Sequence, residues 1–342
     1  SPRIRVADVE GNAEVALAAV RDAAERGVRA LVLPELNLTG YTAADLFHNR
    51  TLLHACEAAL VHILDETRDL PIVFTIGLPV AVAENIYNCA AVCCAGELLG
   101  LTAKKYLPNY GEFYEKRHYC AAPAGVKELT FAGQKTLFGT KLLFRCETMQ
   151  AFTLAVEICE DLWAPLPPST AHALAGATVL ANLSASDETV GKAEYRRALV
   201  SQQSARLLCA YLYADAGHGE STTDMVFSGH NLIAENGALL AESRPFSQAL
   251  ACTELDLGRL LAERRRNTSF EPVTDGYETV SFHLPLREIP LTRYISPTPF
   301  VPADGGARAE RCELILQMQA DGLAKRIEHA HAKTAVIGIS GG

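Results

Sequence analysis

Short apolar runs of strand length alternate with segments of helical periodicity through most of this sequence. The strand-like runs lie at 4–9, 30–35, 72–79, 86–95, 98–105, 136–144, 152–159, 177–184, 209–214, 225–233, 239–242 and 249–256. A helical pattern follows Asn12 and ends at Gly27, and another opens at Thr42 or Thr51 and reaches Glu66. Two more occupy 170–175 and 192–208. Such alternation is typical of α/β proteins, and the hairpin signal at Gly96 adds antiparallel pairs. The sequence therefore predicts a mixed sheet, or two sheets, covered by helices.

A cluster of prolines marks the end of this alternation. Five of the 16 prolines fall between 285 and 302, and an Asp-Gly-Gly turn signal follows at 304–306. This composition predicts an extended linker. We therefore expect a first domain over 1–284, a linker over 285–306, and the beginning of a second, truncated domain over 307–342. In that second part, a helical pattern at 307–331 leads into a strand-like run at 334–339.

The acidic balance of the chain excludes several classes of partner. The 31 Lys and Arg against 40 Asp and Glu give a formal net charge of −9. This charge disfavours nonspecific binding to nucleic acid or to an anionic membrane. The longest stretch without a charged residue, 162–186, holds three prolines and does not resemble a spanning helix. The first residues lack the pattern of a signal peptide, so we expect a cytoplasmic protein.

The ten cysteines predict neither a metal site nor a disulfide framework. None belongs to a Cys-x-x-Cys pair, and zinc sites need paired ligands at short spacing. The nearest cluster contains Cys89, Cys93 and Cys94, but in a strand Cys93 and Cys94 point to opposite faces. Reduced, mostly buried thiols are the simpler interpretation, and they fit a reducing compartment.

Three segments place reactive residues at the ends of strand-like runs. Glu35 closes one run, Lys104 and Lys105 begin a loop rich in tyrosine and glutamate, and Cys159 closes a run shortly before the only tryptophan, Trp163. Alone, each has an ordinary explanation: a strand end at the surface, a solvated loop and a buried cysteine. The chemistry becomes specific only if the three segments meet.

A glutamate, a lysine and a cysteine together form a complete set for nucleophilic attack on an amide. The cysteine must react as a thiolate, and its ordinary pKa is about 8.5. A glutamate can take the thiol proton and later return it to the leaving amine. A lysine ammonium can stabilise both the thiolate and the oxyanion of a tetrahedral intermediate. Such a site requires no histidine.

Glu35, Lys104 and Cys159, in this order, resemble the Glu–Lys–Cys triad of the nitrilase superfamily. The Lys-x-x-Leu-Pro spacing identifies Lys104, and not Lys105, as the matching lysine. The resemblance covers 1–284 and implies an α/β fold, the α-β-β-α sandwich. It also implies that Glu35 is the general base, Lys104 the oxyanion stabiliser and Cys159 the nucleophile.

Within this superfamily, the sequence is similar to the glutaminase domains of glutamine-dependent NAD synthetases. Three stretches carry the similarity: Tyr-Leu-Pro-Asn-Tyr-Gly-Glu-Phe-Tyr-Glu at 106–115, Glu-Ile-Cys-Glu-Asp-Leu-Trp at 157–163, and Asn-Leu-Ser-Ala-Ser at 182–186. The Ser-Gly-Gly at 340–342 resembles the opening of the phosphate loop of ATP-pyrophosphatase domains, where glycines let backbone N–H groups approach a phosphate. The second domain is therefore expected to be the start of an α/β ATP-pyrophosphatase domain.

The resemblance also implies further site residues. Glu112 matches an additional glutamate that positions the triad. The implied glutamine-binding residues are Tyr41, Tyr110, Trp163, Ser186 and Lys192, the last two toward the α-amino acid end of the substrate. The implied ATP-binding residues are Ser340, Gly341 and Gly342.

The implied activity is hydrolysis of glutamine through a cysteine thioester, with the ammonia used for ATP-dependent amidation of deamido-NAD to NAD. The implied partners are glutamine, deamido-NAD and ATP, with Mg²⁺ in the synthetase domain, no cofactor in the glutaminase domain, and a large homo-oligomer. One alternative is a stand-alone nitrilase-superfamily amidase or carbamoylase, against which the linker and the final Ser-Gly-Gly argue. Another is a non-catalytic interaction subunit, against which the intact triad argues.

Overall fold

The computed structural model describes residues 1–248, 250–338 and 340, which fall into two compact units, Ser1–Thr292 and Arg293–Gly342. The helices are α1 (Val9–Glu25), α2 (Arg50–Glu66), α3 (Glu160–Trp163), α4 (Pro168–Leu174), α5 (Lys192–Leu207), α6 (Leu257–Arg266) and α7 (Gly305–His329), with 3-10 turns at Tyr41–His48 and Glu115–Arg117. The strands are β1 (Ala30–Val32), β2 (Val73–Val82), β3 (Asn85–Cys94), β4 (Glu97–Ala103), β5 (Lys127–Phe131), β6 (Gln134–Gly139), β7 (Leu142–Cys146), β8 (Thr153–Ile158), β9 (Val179–Ser184), β10 (Ala210–Asp215), β11 (Leu232–Glu235), β12 (Ala238–Glu242) and β13 (Glu278–Phe282).

The first sheet joins six of the described strands in the order β1-β2-β3-β4-β6-β5. β1 runs parallel to β2, whereas β2, β3 and β4 form an antiparallel meander. The turn between β3 and β4 contains Gly96, whose φ is 81°. This confirms the hairpin predicted at Gly96. Since two antiparallel steps separate β2 from β4, β1 and β4 run in the same direction and end at the same edge.

The second sheet joins seven of the described strands in the order β12-β11-β10-β9-β8-β7-β13. Its centre is parallel: β9 pairs with β8 on one side and with β10 on the other. These central strands are buried on both faces, which explains why they appear in the sequence as continuous apolar runs. β8 and β9 consequently end together at one edge.

The two sheets pack face to face, and helices cover their outer faces. Successive residues of β2 point to opposite sides: Phe74 packs with Val20 of α1 and Leu60 of α2, whereas Val73 packs with Val156 of β8 between the sheets. A third apolar cluster joins the far face of the second sheet to α4 and α5. This arrangement confirms the predicted α-β-β-α sandwich.

The run at 4–9 was wrongly predicted as a strand. Ala7 has a φ of 63°, which interrupts an extended backbone, and Asp8 caps α1 by accepting from the N–H of Gly11. The helix therefore begins before Asn12, which was the predicted cap. Asn12 is instead buried, and its amide group binds the backbone of the preceding turn.

Other strand predictions failed where the chain changes sheets or lacks a neighbour. The run at 136–144 is divided between β6 and β7, which belong to different sheets. The run at 225–233 contributes only the beginning of β11, and the described part of 249–256 forms no strand. Residues 334–338 are exposed and form no strand, because the described residues provide no strand beside them; Ile339 lies outside the described residues.

The second unit contains α7, which Asp304 caps by accepting from the N–H of Ala307 at 2.7 Å. None of the described residues of α7 is buried. Its apolar side chains, such as Leu314 and Leu316, are about three-fifths exposed, at 59% and 61%. None of the helices in the described part of the chain combines the length and the hydropathy of a membrane span.

Candidate functional site

Four strand ends bring the predicted reactive residues to one edge of the sandwich. In the first sheet, Glu35 lies three residues beyond β1, and Lys104 directly follows β4. In the second sheet, Cys159 directly follows β8, and Ser186 lies two residues beyond β9. The N–H of Glu35 donates to the carbonyl of Ser184 at 3.3 Å, so the two sheets meet at this edge.

The side chain of Lys104 is fully buried between two carboxylates. Its Nζ lies 2.7 Å from Oε1 of Glu35 and 2.5 Å from Oε1 of Glu115. Burial lowers the pKa of Lys104, but the two carboxylates outweigh it and hold the pKa well above its ordinary value. An ammonium has three N–H donors, and these carboxylates occupy two of them. The third can serve an oxyanion.

The carboxylate of Glu35 is held by donors from both sheets. Asn88 Nδ2 donates to Oε1 at 2.6 Å, and the backbone N–H of Ala185 donates to Oε2 at 2.8 Å. The backbone N–H of Lys104 in turn donates to the carbonyl of Asn88 at 2.9 Å. The carboxylate is therefore oriented in advance, as an efficient general base requires.

The carboxylate that supports Lys104 is Glu115 and not Glu112, which corrects the sequence prediction. Glu115 is only 3% exposed and also accepts from the Tyr41 hydroxyl at 2.9 Å, whereas Glu112 is half-buried on the wall of a nearby cavity. The 3-10 turn at Glu115–Arg117 directs Glu115 inward. Burial raises the pKa of Glu115 to about 7; Lys104 lowers it and Glu35 raises it.

Cys159 lies on a sharp turn between β8 and α3. Its φ of 44° and ψ of −101° belong to a region that L-residues rarely adopt, and such strain is often stored at functional sites. The N–H of Cys159 donates to the carbonyl of Leu183 at 2.9 Å, and its own carbonyl accepts from Leu162 at 3.0 Å. The turn ends the strand and presents the thiol at the edge of the sheet.

The electrostatics of the site keep the resting thiol protonated. Burial raises the pKa of the Cys159 thiol well above its ordinary value, and the charge of Glu35 raises it further. Lys104 and the backbone N–H of Ala185 lower it, and Glu115 raises it. Because the thiol keeps its proton at rest, the arrangement favours activation by a base during the reaction over a permanent thiolate.

Three of the residues predicted to bind substrate, Tyr41, Tyr110 and Lys192, lie around the ring of Phe113. The rings of Tyr110 and Tyr41 lie 6.1 Å and 6.5 Å from it. The Nζ of Lys192 lies 5.9 Å from the centre of the Phe113 ring and 5.5 Å from that of Trp163. The structure therefore brings Tyr41, Tyr110, Trp163 and Lys192 to one aromatic wall beside the triad.

Ser186 joins this group through its neighbour Asp187, which forms an ion pair with Lys192. Ser186 is buried, and its N–H donates to Asp215 Oδ1 at 2.8 Å. Its hydroxyl accepts from the fully buried Arg196 at 3.5 Å. The segment that carries Ser186 is thus held from behind by a buried arginine and a buried aspartate.

Several residues of the site were not predicted from the sequence. Glu160 accepts from the Tyr110 hydroxyl at 2.8 Å at the mouth of the site, and its position next to Cys159 was an available signal. Phe113 and Glu115 belong to the stretch 106–115, which carries part of the family resemblance. The sequence of this stretch does not show which of its side chains face inward. Arg196 gave no signal, because one arginine in a polar helix is ordinarily solvent-exposed.

The residues predicted to bind ATP are only partly described. Ser340 is exposed and belongs to no helix or strand, while Gly341 and Gly342 lie outside the described residues. Among the described residues, no three or more His, Cys, Asp or Glu side chains form a group that could hold a metal ion.

Comparison with known proteins assigns most of the chain to one family. Residues 2–265 match the family described as carbon-nitrogen hydrolase. The glutamine-dependent NAD(+) synthetase of Mycobacterium tuberculosis is 40% identical over 348 residues, covering 98% of this chain and 51% of the relative. The enzyme of the same name from Saccharomyces cerevisiae is 30% identical over 253 residues, covering 70% of this chain and 34% of the relative. The chain thus spans about half the length of the mycobacterial relative.

Solved structures share the fold. A glutamine-dependent NAD(+) synthetase from Cytophaga hutchinsonii superposes with a TM-score of 0.66 at 30% identity, covering 74% of this chain and 41% of that one. An amidase of the nitrilase superfamily from Nesterenkonia superposes with a TM-score of 0.60 at 21% identity, covering 78% of this chain and 92% of that one. At that identity, the amidase supports the fold alone.

Proposed function

Because the chain belongs to the carbon-nitrogen hydrolase family, we propose that it is the glutamine-hydrolysing part of a glutamine-dependent NAD synthetase. The observation that carries the proposal is the buried Lys104, bonded to both Glu35 and Glu115 beside Cys159. Hydrolysis of an amide through a thioester needs a nucleophile, a base and an oxyanion stabiliser, and the site holds one of each. Similarity to NAD synthetases over 98% of the chain favours glutamine as the amide.

In the first half of the reaction, the Cys159 sulfur attacks the side-chain amide carbon of glutamine while its proton passes to Glu35. The free N–H of Lys104 stabilises the oxyanion of the tetrahedral intermediate. Glu35 then returns the proton to the nitrogen, the carbon–nitrogen bond breaks, and ammonia leaves. A γ-glutamyl thioester remains on Cys159.

In the second half, Glu35 takes a proton from a water molecule, whose oxygen attacks the thioester carbon. Lys104 again stabilises the oxyanion, the carbon–sulfur bond breaks, and the sulfur recovers a proton from Glu35. Glutamate leaves, and the site returns to its resting state. Glu115 takes no proton in this scheme; it holds the ammonium of Lys104 in place.

The mouth of the site offers complementary groups for the α-amino acid end of glutamine. Lys192 can bind the α-carboxylate, in exchange for part of its contact with Asp187. The carboxylate of Glu160, fixed by Tyr110, can bind the α-ammonium. Ser186 shapes the wall behind Lys192, and Trp163 covers the aliphatic part. A simple aliphatic amide would use neither Lys192 nor Glu160.

The released ammonia would be used in ATP-dependent amidation of deamido-NAD to NAD, with Mg²⁺ accompanying ATP. The relatives of that name are about twice as long as this chain, which supports a synthetase part beyond the hydrolase fold. No cofactor is needed for the hydrolytic steps. We also propose a cytoplasmic location and a large homo-oligomer for the whole enzyme.

The test is to measure ammonia and glutamate released by the purified chain from glutamine, with propionamide and an N-carbamoyl amino acid as competing substrates. We expect glutamine to be preferred, because only glutamine presents an α-carboxylate and an α-ammonium in addition to the amide. In the full-length enzyme, the amide nitrogen of ¹⁵N-labelled glutamine should appear in NAD when deamido-NAD and MgATP are supplied. Preference for propionamide or for the carbamoyl compound would instead indicate a stand-alone amidase or carbamoylase.

A further inference from the structure

The carboxylate of Asp161 binds backbone groups from both sheets. Its Oδ1 accepts from the N–H of Tyr106 at 2.8 Å and from that of Lys105 at 3.2 Å, in the loop that directly follows Lys104. Its Oδ2 accepts from the N–H of Ile158 at 3.0 Å, directly before Cys159. Asp161 is 1% exposed and belongs to α3. One side chain therefore contacts the residue after the catalytic lysine and the residue before the nucleophile.

We propose that Asp161 is a positioning residue that sets the placement of Cys159 relative to Lys104; this inference rests on the function proposed above. Lys104 follows β4 in the first sheet and Cys159 follows β8 in the second, so no strand pairing relates the two. The cross-sheet hydrogen bonds of Glu35 reach Ser184 and Ala185 and not the Cys159 turn. The three backbone donors on the carboxylate of Asp161 join the 105–106 loop to that turn directly.

The local strand pairing shows why such a contact is available. β7 pairs with β8 only at Thr153 and Leu154, so no described strand lies beside the far end of β8 on that side. The N–H of Ile158 is a buried donor there, and a buried donor without a partner is costly. Asp161 satisfies this donor and, at the same time, anchors the strained turn at Cys159.

The contact favours a carboxylate, whose two oxygens only accept hydrogen bonds. The three backbone groups are donors, and an asparagine at 161 would place an NH₂ group against at least one of them. Loss of one bond would let the 105–106 loop or the Cys159 turn move. A shift of about 1 Å at a catalytic group can lower a rate by about 100-fold.

Glu157, on β8 just before the Cys159 turn, provides a matched control. It is as buried as Asp161, at 1% exposure, and lies two residues before Cys159. Its carboxylate accepts from the N–H of Ser169 at 2.7 Å and from the Tyr211 hydroxyl, on the side of the sheet covered by α4 and α5. Glu157→Gln removes a buried charge without disturbing the contact between the sheets.

The experiment compares Asp161→Asn, Glu157→Gln and the wild type in glutamine hydrolysis and in alkylation of Cys159 by iodoacetamide, followed by mass spectrometry of the Cys159 peptide. For Asp161→Asn we expect kcat to fall by about 10- to 100-fold with KM within about 3-fold. Alkylation should slow, and its pH profile should shift upward by about one unit because the thiol is further from Lys104. Glu157→Gln should retain kcat and the pH profile, even if its melting temperature falls.

A folded Asp161→Asn protein whose kcat and alkylation profile match those of Glu157→Gln would overturn the proposal. If Asp161→Asn does not fold, Tyr106→Pro decides instead: it removes the 2.8 Å donor while leaving the carboxylate in place. A folded Tyr106→Pro protein with a wild-type alkylation profile would equally overturn the proposal. Alkylation needs no substrate, so it tests Asp161 even if the wild type fails to hydrolyse glutamine, which would refute only the proposed function.

Discussion

The Nζ of Lys104 lies 2.5 Å from Oε1 of Glu115, closer than the 2.7 Å that separates it from Glu35. Glu115 therefore shares the ammonium with the expected base. We expect Glu115→Gln to lower kcat for glutamine by about 10- to 100-fold, because a displaced Lys104 stabilises the oxyanion less well. Steady-state assays of ammonia release measure this. Glu112→Gln is the matched control and should remain near wild-type activity; equal losses in both variants would contradict the assignment.

The pKa of Glu115 predicts a pH dependence of stability. Burial raises this pKa from 4.5 to about 7 in the folded protein, so between these values the folded protein keeps a proton that the unfolded chain has released. The resulting stabilisation is fully present below about pH 4.5 and is lost as the pH rises through about 7. We therefore expect the free energy of unfolding of the wild type, minus that of Glu115→Gln, to fall as the pH rises across this window. Denaturant unfolding at several pH values measures this difference. A difference that rises with pH would contradict this, because it would mean that Lys104 lowers the pKa of Glu115 by more than burial raises it.

Replacement of the nucleophile should separate chemistry from folding. Cys159→Ala should lower kcat by about 10³-fold or more, since loss of a nucleophile removes the covalent pathway. Its melting temperature should change little, because the side chain loses only one buried sulfur. Cys209→Ala, at another buried cysteine directly before β10, is the control and should retain activity. Residual turnover in Cys159→Ala close to that of the control would exclude the thioester route.

Lys192 should determine affinity for glutamine and not the rate of chemistry. A hydrogen bond to a charged group is worth about 1.5–3 kcal/mol, so Lys192→Ala should raise KM by about 10- to 100-fold with kcat largely kept. Propionamide lacks the α-carboxylate, and its KM should be unaffected. Lys135→Ala, an exposed lysine on β6, is the control. Equal effects of Lys192→Ala on both amides would show that Lys192 does not recognise the α-carboxylate.

Gly77 on β2 should be sensitive to the smallest substitution. A Cβ there would lie 2.2 Å from the backbone N of Leu36 and 2.7 Å from the carbonyl oxygen of Pro34, on either side of Glu35. Gly77→Ala should destabilise the fold by about 1–3 kcal/mol and lower kcat by displacing Glu35. Gly125→Ala, where nothing lies within 4 Å of the added carbon, should change neither quantity. Thermal melts and glutamine assays on both variants check this.

The sandwich could be predicted because its central strands are apolar runs that end abruptly at polar residues. Glu35, Lys104 and Cys159 each follow such a run, so their convergence at one edge depends on strand direction alone. The run at 4–9 was wrongly predicted because its apolar residues pack into the core from an irregular segment. Ile4 is buried, but its backbone N–H donates to the carbonyl of His218 and belongs to no described strand. Periodicity cannot distinguish these cases.

The supporting residues needed three-dimensional information. Glu112 and Glu115 stand in one motif, and only the 3-10 turn shows which of them faces Lys104. Arg196 and Asp161 contact partners that are distant in the sequence, His230 for the first and the 105–106 loop for the second. Their burial is a property of the assembled sheets, which no local pattern of charge or hydropathy records.

At the strained turn of Cys159, selection for stability and selection for activity favour different residues. Glycine would adopt a φ of 44° with less strain, so selection for a well-folded protein alone favours its replacement. Only selection for turnover retains a cysteine there. In a lineage that has kept this domain as a scaffold and abandoned its chemistry, position 159 should therefore be among the first to drift, and its residue would show whether a descendant is still an enzyme.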